Sequence, residues 1–145
     1  MKQIQALRTE QIPEAADLWL RSVTLGHPFI DEAYWRAQYD RVKTDDLPGS
    51  KTYGFYSGKK MRGFLSVIKG NTIGALFVDI DCQGKGIGSS LLEFAKSKFA
   101  VLHLNVYQNN THALTFYLKH GFVPDDQRVD PETGEVEYTM TWRGV

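Results

Sequence analysis

Gln83-Gly84-Lys85-Gly86-Ile87-Gly88 lies between an apolar run, Ile73-Gly74-Ala75-Leu76-Phe77-Val78-Asp79-Ile80, and an amphipathic one, Ser89-Ser90-Leu91-Leu92-Glu93-Phe94-Ala95-Lys96. The first run predicts a buried strand and the second a helix. Glycine has no Cβ, so backbone there can approach a ligand closely and take positive φ. The N–H groups of a first helical turn have no partner within the helix, and together with the helix dipole they favour an anion. The stretch therefore reads as a cradle for a phosphorylated cofactor. A ligand-free strand-to-helix turn is the alternative at this point.

Working outward, Ile4 and Ala6 alternate with polar residues and predict a short first strand. Thr9 is placed to cap a helix through Ile12, Ala15, Ala16, Leu18, Trp19 and Val23, with Pro13 tolerable only in its first turn. Gly26-His27-Pro28 breaks that helix, and Asp31 is placed to cap a second one carrying Tyr34, Trp35, Tyr39 and Val42. Two strands follow, Tyr53 to Tyr56 and Met61 to Ile68, and Gly70-Asn71 turns the chain into the strand before the glycine loop. Beyond the loop, Ile87, Leu91, Leu92, Ala95 and Phe99 form an apolar stripe at helical spacing. Val101 to Tyr107 reads as a strand, and Asn109-Asn110 opens a helix that Gly121 stops. A hairpin ends the chain, with arms Phe122 to Val129 and Glu135 to Trp142 around a turn at 130–134. The order, β-αα-ββ-β-α-β-α-ββ, is that of a mixed α/β protein.

Composition narrows the classes. Residues 1–145 read as a single domain, and 42% hydrophobic residues fit a folded chain. Seventeen basic and seventeen acidic residues cancel, so the basic footprint of a nucleic-acid binder is missing. The single cysteine, Cys82, excludes an internal disulfide framework and supplies no metal-ligand spacing; it reads as a small turn residue. No long apolar segment suggests a membrane span, so a cytoplasmic protein is the expectation.

Three phosphate-binding patterns compete for the loop. A P-loop needs GxxxxGK[ST], and no Lys-Ser or Lys-Thr stands at that spacing from the loop glycines. A dinucleotide fold needs GxGxxG and an acid about 20 positions on; the spacing here is GxGxG, and the region of Gln108 has no acid. The third pattern, [Arg/Gln]-x-x-Gly-x-[Gly/Ala], is matched by Gln83, Gly86 and Gly88. It resembles the pyrophosphate loop of the GNAT superfamily of acyl-CoA-dependent N-acetyltransferases. A second segment, Asn110-x-x-Ala113-x-x-x-Tyr117-x-x-x-Gly121-Phe122, resembles the second motif of that family. Positions 110, 113 and 117 share one helix face. More loosely, Leu20-Arg21-Ser22-Val23 followed by His27, Phe29 and Ile30 looks like the small bacterial YjaB-like branch, described as protein-lysine acetyltransferases. Ile80 stands where many members carry proline, a departure expected to alter only the strand exit.

The resemblance implies a GNAT fold: a mixed, mostly antiparallel sheet of about seven strands flanked by about four helices, splayed between the fourth and fifth strands. It implies acetyl-CoA as cosubstrate, no metal, and an amine acceptor, either a protein lysine or a small molecule. A non-catalytic acyl-CoA-binding module is the other reading. The pantetheine arm is expected in the splay, beside Asn105 and paired with backbone of Phe77 and Val78. The pyrophosphate is expected on N–H groups of Gly84, Lys85, Gly86, Ile87, Gly88 and Ser89. Asn110 and Ala113 line the cofactor's helix face, a Val78 N–H stabilises the oxyanion, and Tyr117 is the general acid for the leaving thiolate. The general base is open among Asp79, His27, Glu137 and Tyr138. The acceptor is expected against Phe29, Tyr34, Trp35 and the 130–138 hairpin, whereas His103, His112 and His120 are expected on solvated faces. Monomer and homodimer both remain compatible with the family.

Overall fold

The computed structural model describes residues 3–144. Seven strands form one sheet: β1 (Ile4–Ala6), β2 (Lys51–Ser57), β3 (Lys60–Ile68), β4 (Thr72–Val78), β5 (Val101–Tyr107), β6 (Val123–Val129) and β7 (Val136–Arg143). Their order is β1-β2-β3-β4-β5-β7-β6. Every neighbouring pair is antiparallel except β4–β5, which is parallel. That pair is held only at Thr72–His103 and Ile73–Leu104. Beyond it the two strands diverge, because β4 stays on β3 as far as Val78 while β5 runs its full length along β7.

The helices cover the two faces. Helices α1 (Ile12–Gly26), α2 (Glu32–Arg36) and the single turn α3 (Tyr39–Arg41) pack on one face. Helices α4 (Ile87–Lys98) and α5 (Thr111–Lys119) pack on the other. Adjacent strand residues feed opposite cores, as the two-residue period of a strand requires. Phe64 and Tyr107 join Trp19, Val23 and Trp35 under α1, whereas Leu65 and Val106 join Leu91, Leu92, Tyr117 and Phe122 under α4 and α5. None of the described helices is long and apolar enough to cross a membrane.

Three local expectations change. Thr9 does not cap α1; it begins a short 3-10 turn, Thr9–Gln11, in which Gln11 Oε1 accepts from the Arg8 N–H at 2.9 Å. This turn leads into α1 and leaves Pro13 in its first turn, where a missing N–H costs nothing. Asp31 does cap α2, accepting from Ala33 N–H at 2.9 Å, but the expected single helix breaks after Arg36 and resumes as α3 and a π-turn over Val42–Asp46. The glycine-loop strand is shorter and more open than predicted: it stops at Val78, and Ile80 is 51% exposed. Asp79 causes the stop, because its carboxylate accepts the Asp81 N–H at 3.2 Å and caps a 3-10 turn at Ile80–Cys82.

Leu92 on α4 is fully enclosed by the core between that helix and the sheet. Leu92→Ala is expected to lower the unfolding free energy by about 2–5 kcal/mol. Urea titration reads this as a lower midpoint at unchanged slope.

Candidate active site

The glycine loop takes the shape its sequence demands. Gly84 and Gly86 have φ of 80° and 81°, and the space where a Cβ would stand is open at both. An L side chain there would be strained by about 1–2 kcal/mol. Gly86 is the N-cap of α4, so the unpaired N–H groups of that helix face the same open space. Gly88 lies where α4 meets α5: a Cβ on it would stand 3.4 Å from the Phe116 ring and 3.6 Å from Val78 Cγ2.

Beside the loop, β4 presents a free edge. Asp79 N–H donates to Arg62 carbonyl on β3 at 2.8 Å. Backbone groups alternate sides along a strand, so Phe77 also addresses β3 and Val78 turns its N–H and C=O toward the gap. Of the two residues expected to act as a pseudo-strand, Val78 faces the gap with its backbone, and Phe77 pairs with β3 and lines the cavity. Asn110 begins α5 with its Oδ1 accepting the Ala113 N–H at 3.3 Å. Two turns on, the Tyr117 side chain is 8% exposed, and its hydroxyl makes no hydrogen bond among the described residues. Burial pushes this phenol well above its usual value, so it stays protonated at neutral pH.

These parts enclose a cavity of about 460 Å³ lined by Phe77, Val78, Gln83, Gly84, Gly86, Ile87, Gly88, Ser89, Asn110, Ala113 and Tyr117. Of the expected cofactor residues, Lys85 is exposed and outside the lining. Asn105 lines a second cavity instead, about 190 Å³, on the α1 side of the sheet with Trp19, Trp35, Tyr107 and Glu137. Phe77, His27, Asn110, Ala113 and Tyr117 line both cavities, so the two meet through the gap between β4 and β5. Phe116 lines the first cavity and was not anticipated, although its three-residue offset from Ala113 places it on the same helix face.

The candidate bases separate clearly. Asp79, 4% exposed, is tied to Arg21 at 3.1 Å and to its own turn, so it is a structural carboxylate and not a base facing the gap. Tyr138 Oη accepts from Gln108 Nε2 at 3.1 Å. Glu137 accepts two bonds from the Arg128 guanidinium, at 2.9 and 3.1 Å, and also borders the second cavity. His27 is buried against Phe29, Trp35 and Tyr107, and burial holds its imidazole below the ordinary 6.5. On the acceptor side, Tyr34 Oη donates to Glu132 at 2.7 Å and Tyr107 Oη to Asp130 at 2.5 Å, fastening α2 and β5 to the β6–β7 turn.

His103 and His120 do not sit on solvated faces as expected. Both are half-buried: His103 Nδ1 lies 3.0 Å from Thr141 Oγ1, and His120 Nε2 lies 3.2 Å from Ser89 Oγ, its ring stacked on Phe116. Cys82 is buried beside the loop.

A glycine loop at a helix start, opening on a gap between two parallel strands, defines the class of acyl-CoA-dependent transferases. The chain matches the family described as acetyltransferase (GNAT) domain over residues 8–141, and it belongs to that family. It is an acetyl-CoA-dependent N-acetyltransferase. Peptidyl-lysine N-acetyltransferase YiaC of Escherichia coli (strain K12) is 32% identical over 139 residues, 96% of this chain and 95% of that protein. Peptidyl-lysine N-acetyltransferase YjaB of Salmonella typhimurium (strain LT2) is 34% identical over 122 residues, 84% of this chain and 83% of that protein. The solution structure of apo-form YjaB from Escherichia coli superposes with a TM-score of 0.85 at 30% identity, covering 98% of this chain and 97% of that one.

Burial lowers the pKa of His27 and of His120, with Lys96 adding to the effect at His120. Each group binds its proton less readily folded than unfolded, so the stability it confers is complete above pH 6.5 and declines as pH falls below it. The melting temperature is expected to drop on acidification through that window. His27→Gln should show a shallower drop than the wild type in a pH series of thermal melts.

Proposed function

We propose that this enzyme acetylates lysine ε-amines in proteins, with Tyr117 as general acid and the two cavities as donor and acceptor chambers. One observation carries the reading: Tyr117, whose hydroxyl makes no hydrogen bond among the described residues, lines both cavities. The residues fit an acyl-CoA, since open space lies over Gly84 and Gly86 and the Val78 edge has lost its strand partner. Acetyl-CoA supplies an activated acetyl thioester.

The chain's own residues then have separable tasks. N–H groups from Gly84 to Ser89 hold the pyrophosphate on the positive end of α4. The Val78 N–H and C=O orient the pantetheine arm and offer a fixed donor where negative charge develops on the thioester oxygen; one such donor is worth about 3 kcal/mol. Tyr117 Oη keeps its proton at neutral pH and delivers it to the departing sulfur. The second cavity is narrow, aromatic on Trp19, Trp35 and Tyr107, and bordered by a single carboxylate, Glu137. That lining suits a long, slim alkyl amine, whose ammonium is attracted by aromatic faces before it loses its proton. The names of the relatives, both peptidyl-lysine N-acetyltransferases, agree with such an acceptor. A cytoplasmic location agrees with a reaction fed by acetyl-CoA.

Two measurements test the proposal. Acetyl-CoA at 100 times its Kd should stabilise the protein by about 2.7 kcal/mol in thermal melts, with no effect from NAD. Tyr117→Phe should lower kcat by roughly 10²–10⁴-fold while acetyl-CoA binding holds. Turnover of free polyamines or amino acids but of no lysine peptide with a blocked N-terminus would refute the acceptor assignment.

A further inference from the structure

His27 lies where helix α1 ends, and it spans the mouth of the β4–β5 gap to the start of α5. Its Nδ1 is 2.8 Å from the Val23 carbonyl, which can only accept, so Nδ1 carries the proton. In the neutral ring Nε2 is then an acceptor. It lies 3.2 Å from the Asn110 side-chain nitrogen. The orientation of Asn110 is fixed independently, because its Oδ1 caps α5 by accepting the Ala113 N–H. Every donor therefore meets an acceptor along one chain, from the Val23 carbonyl through His27 and Asn110 to Ala113. A protonated His27 would set Nε2–H against the Asn110 NH2, and turning the amide over would forfeit the cap.

We infer that neutral His27 is a positioning residue for acetyl transfer: through Asn110 it clamps the first turn of α5 to the end of α1 and thereby places the Tyr117 hydroxyl in the gap. Both clamp residues line both cavities, so the acceptor wall and the acid are set by one contact. Tyr117 follows two turns after Asn110 on a nine-residue helix, so a tilt at the cap is carried directly to the phenol. The ionisable groups around the clamp do not supply an alternative acceptor. Tyr107 on β5 is bound to Asp130, and Glu137 on β7 is bound to Arg128. Tyr117 shares both cavities with it, and His112 and Lys119 of α5 share the first, without bonding to it.

The placement rests on the acetyltransferase reading only for its kinetic part. NMR of the ring nitrogens in the wild type reads the clamp without any substrate. It should show His27 as the Nδ1–H tautomer at neutral pH, titrating below 6.5; an Nε2–H tautomer overturns the clamp. Asn110→Asp keeps a good cap but presents only acceptors, so His27 should bind its extra proton and titrate above 6.5. An unmoved titration in that variant overturns the inference. In kinetics, His27→Phe keeps the ring packing and removes the acceptor. It should lower kcat by about 10- to 100-fold, and His27→Gln, whose Oε1 can accept from Asn110, should recover most of the loss. Wild-type kcat in His27→Phe, or equal loss in both variants, overturns the positioning role while leaving acetyl transfer itself intact.

Discussion

The site depends on two strands that pair briefly and then part. A parallel ladder between β4 and β5 lasts for the pairs Thr72–His103 and Ile73–Leu104 and no further. A continuous sheet would satisfy every backbone group of β4 and seal the domain into two separate cores. Instead β4 is held by β3 and β5 by β7, each over most of its length, and the sheet opens along the line between them. Val78 is left without a ladder partner on this side, its carbonyl accepting only from Gln83 Nε2 at 3.5 Å, and a channel connects the α1 face with the α4 and α5 face. The cavities on the two faces share lining residues because of this missing ladder.

Around that opening Tyr117 and His27 are neutral and the nearby carboxylates are already paired. Tyr117 is held protonated and His27 deprotonated by the same cause, loss of solvent. Asp79, the acid that follows β4, is drawn off by Arg21 and by the turn that ends the strand. Glu137 borders the second cavity already engaged with Arg128. The second cavity presents aromatic rings and a single compensated carboxylate, an environment that disfavours an unpaired charge.

Much of this was legible in the sequence because much of it is local. The extent of β5, the cap at Asp31, the end of α5 at Gly121 and the shared face of Asn110, Ala113 and Tyr117 depend on residues a few positions apart. The elements misjudged from sequence are those where side chains override a periodic pattern. Asp79 stops an apolar run by capping a turn, and the stretch after Arg36 keeps helical spacing yet breaks into shorter pieces. The sides addressed by Phe77 and Val78 depend on the register with β3, which no reading of β4 alone contains.

The glycine loop and the helix face opposite it could be read from the residues alone. Those features follow from glycine's freedom at positive φ and from the 3.6-residue period of a helix, and both act between near neighbours. Tertiary structure alone decided that Lys85 lies outside the chamber, that Asp79 is occupied elsewhere, and that His27 meets Asn110 across 83 positions of chain. Such contacts are set by how the two faces of the sheet are brought together. Their partners are chosen by long-range packing, to which neither residue's own neighbourhood gives a clue.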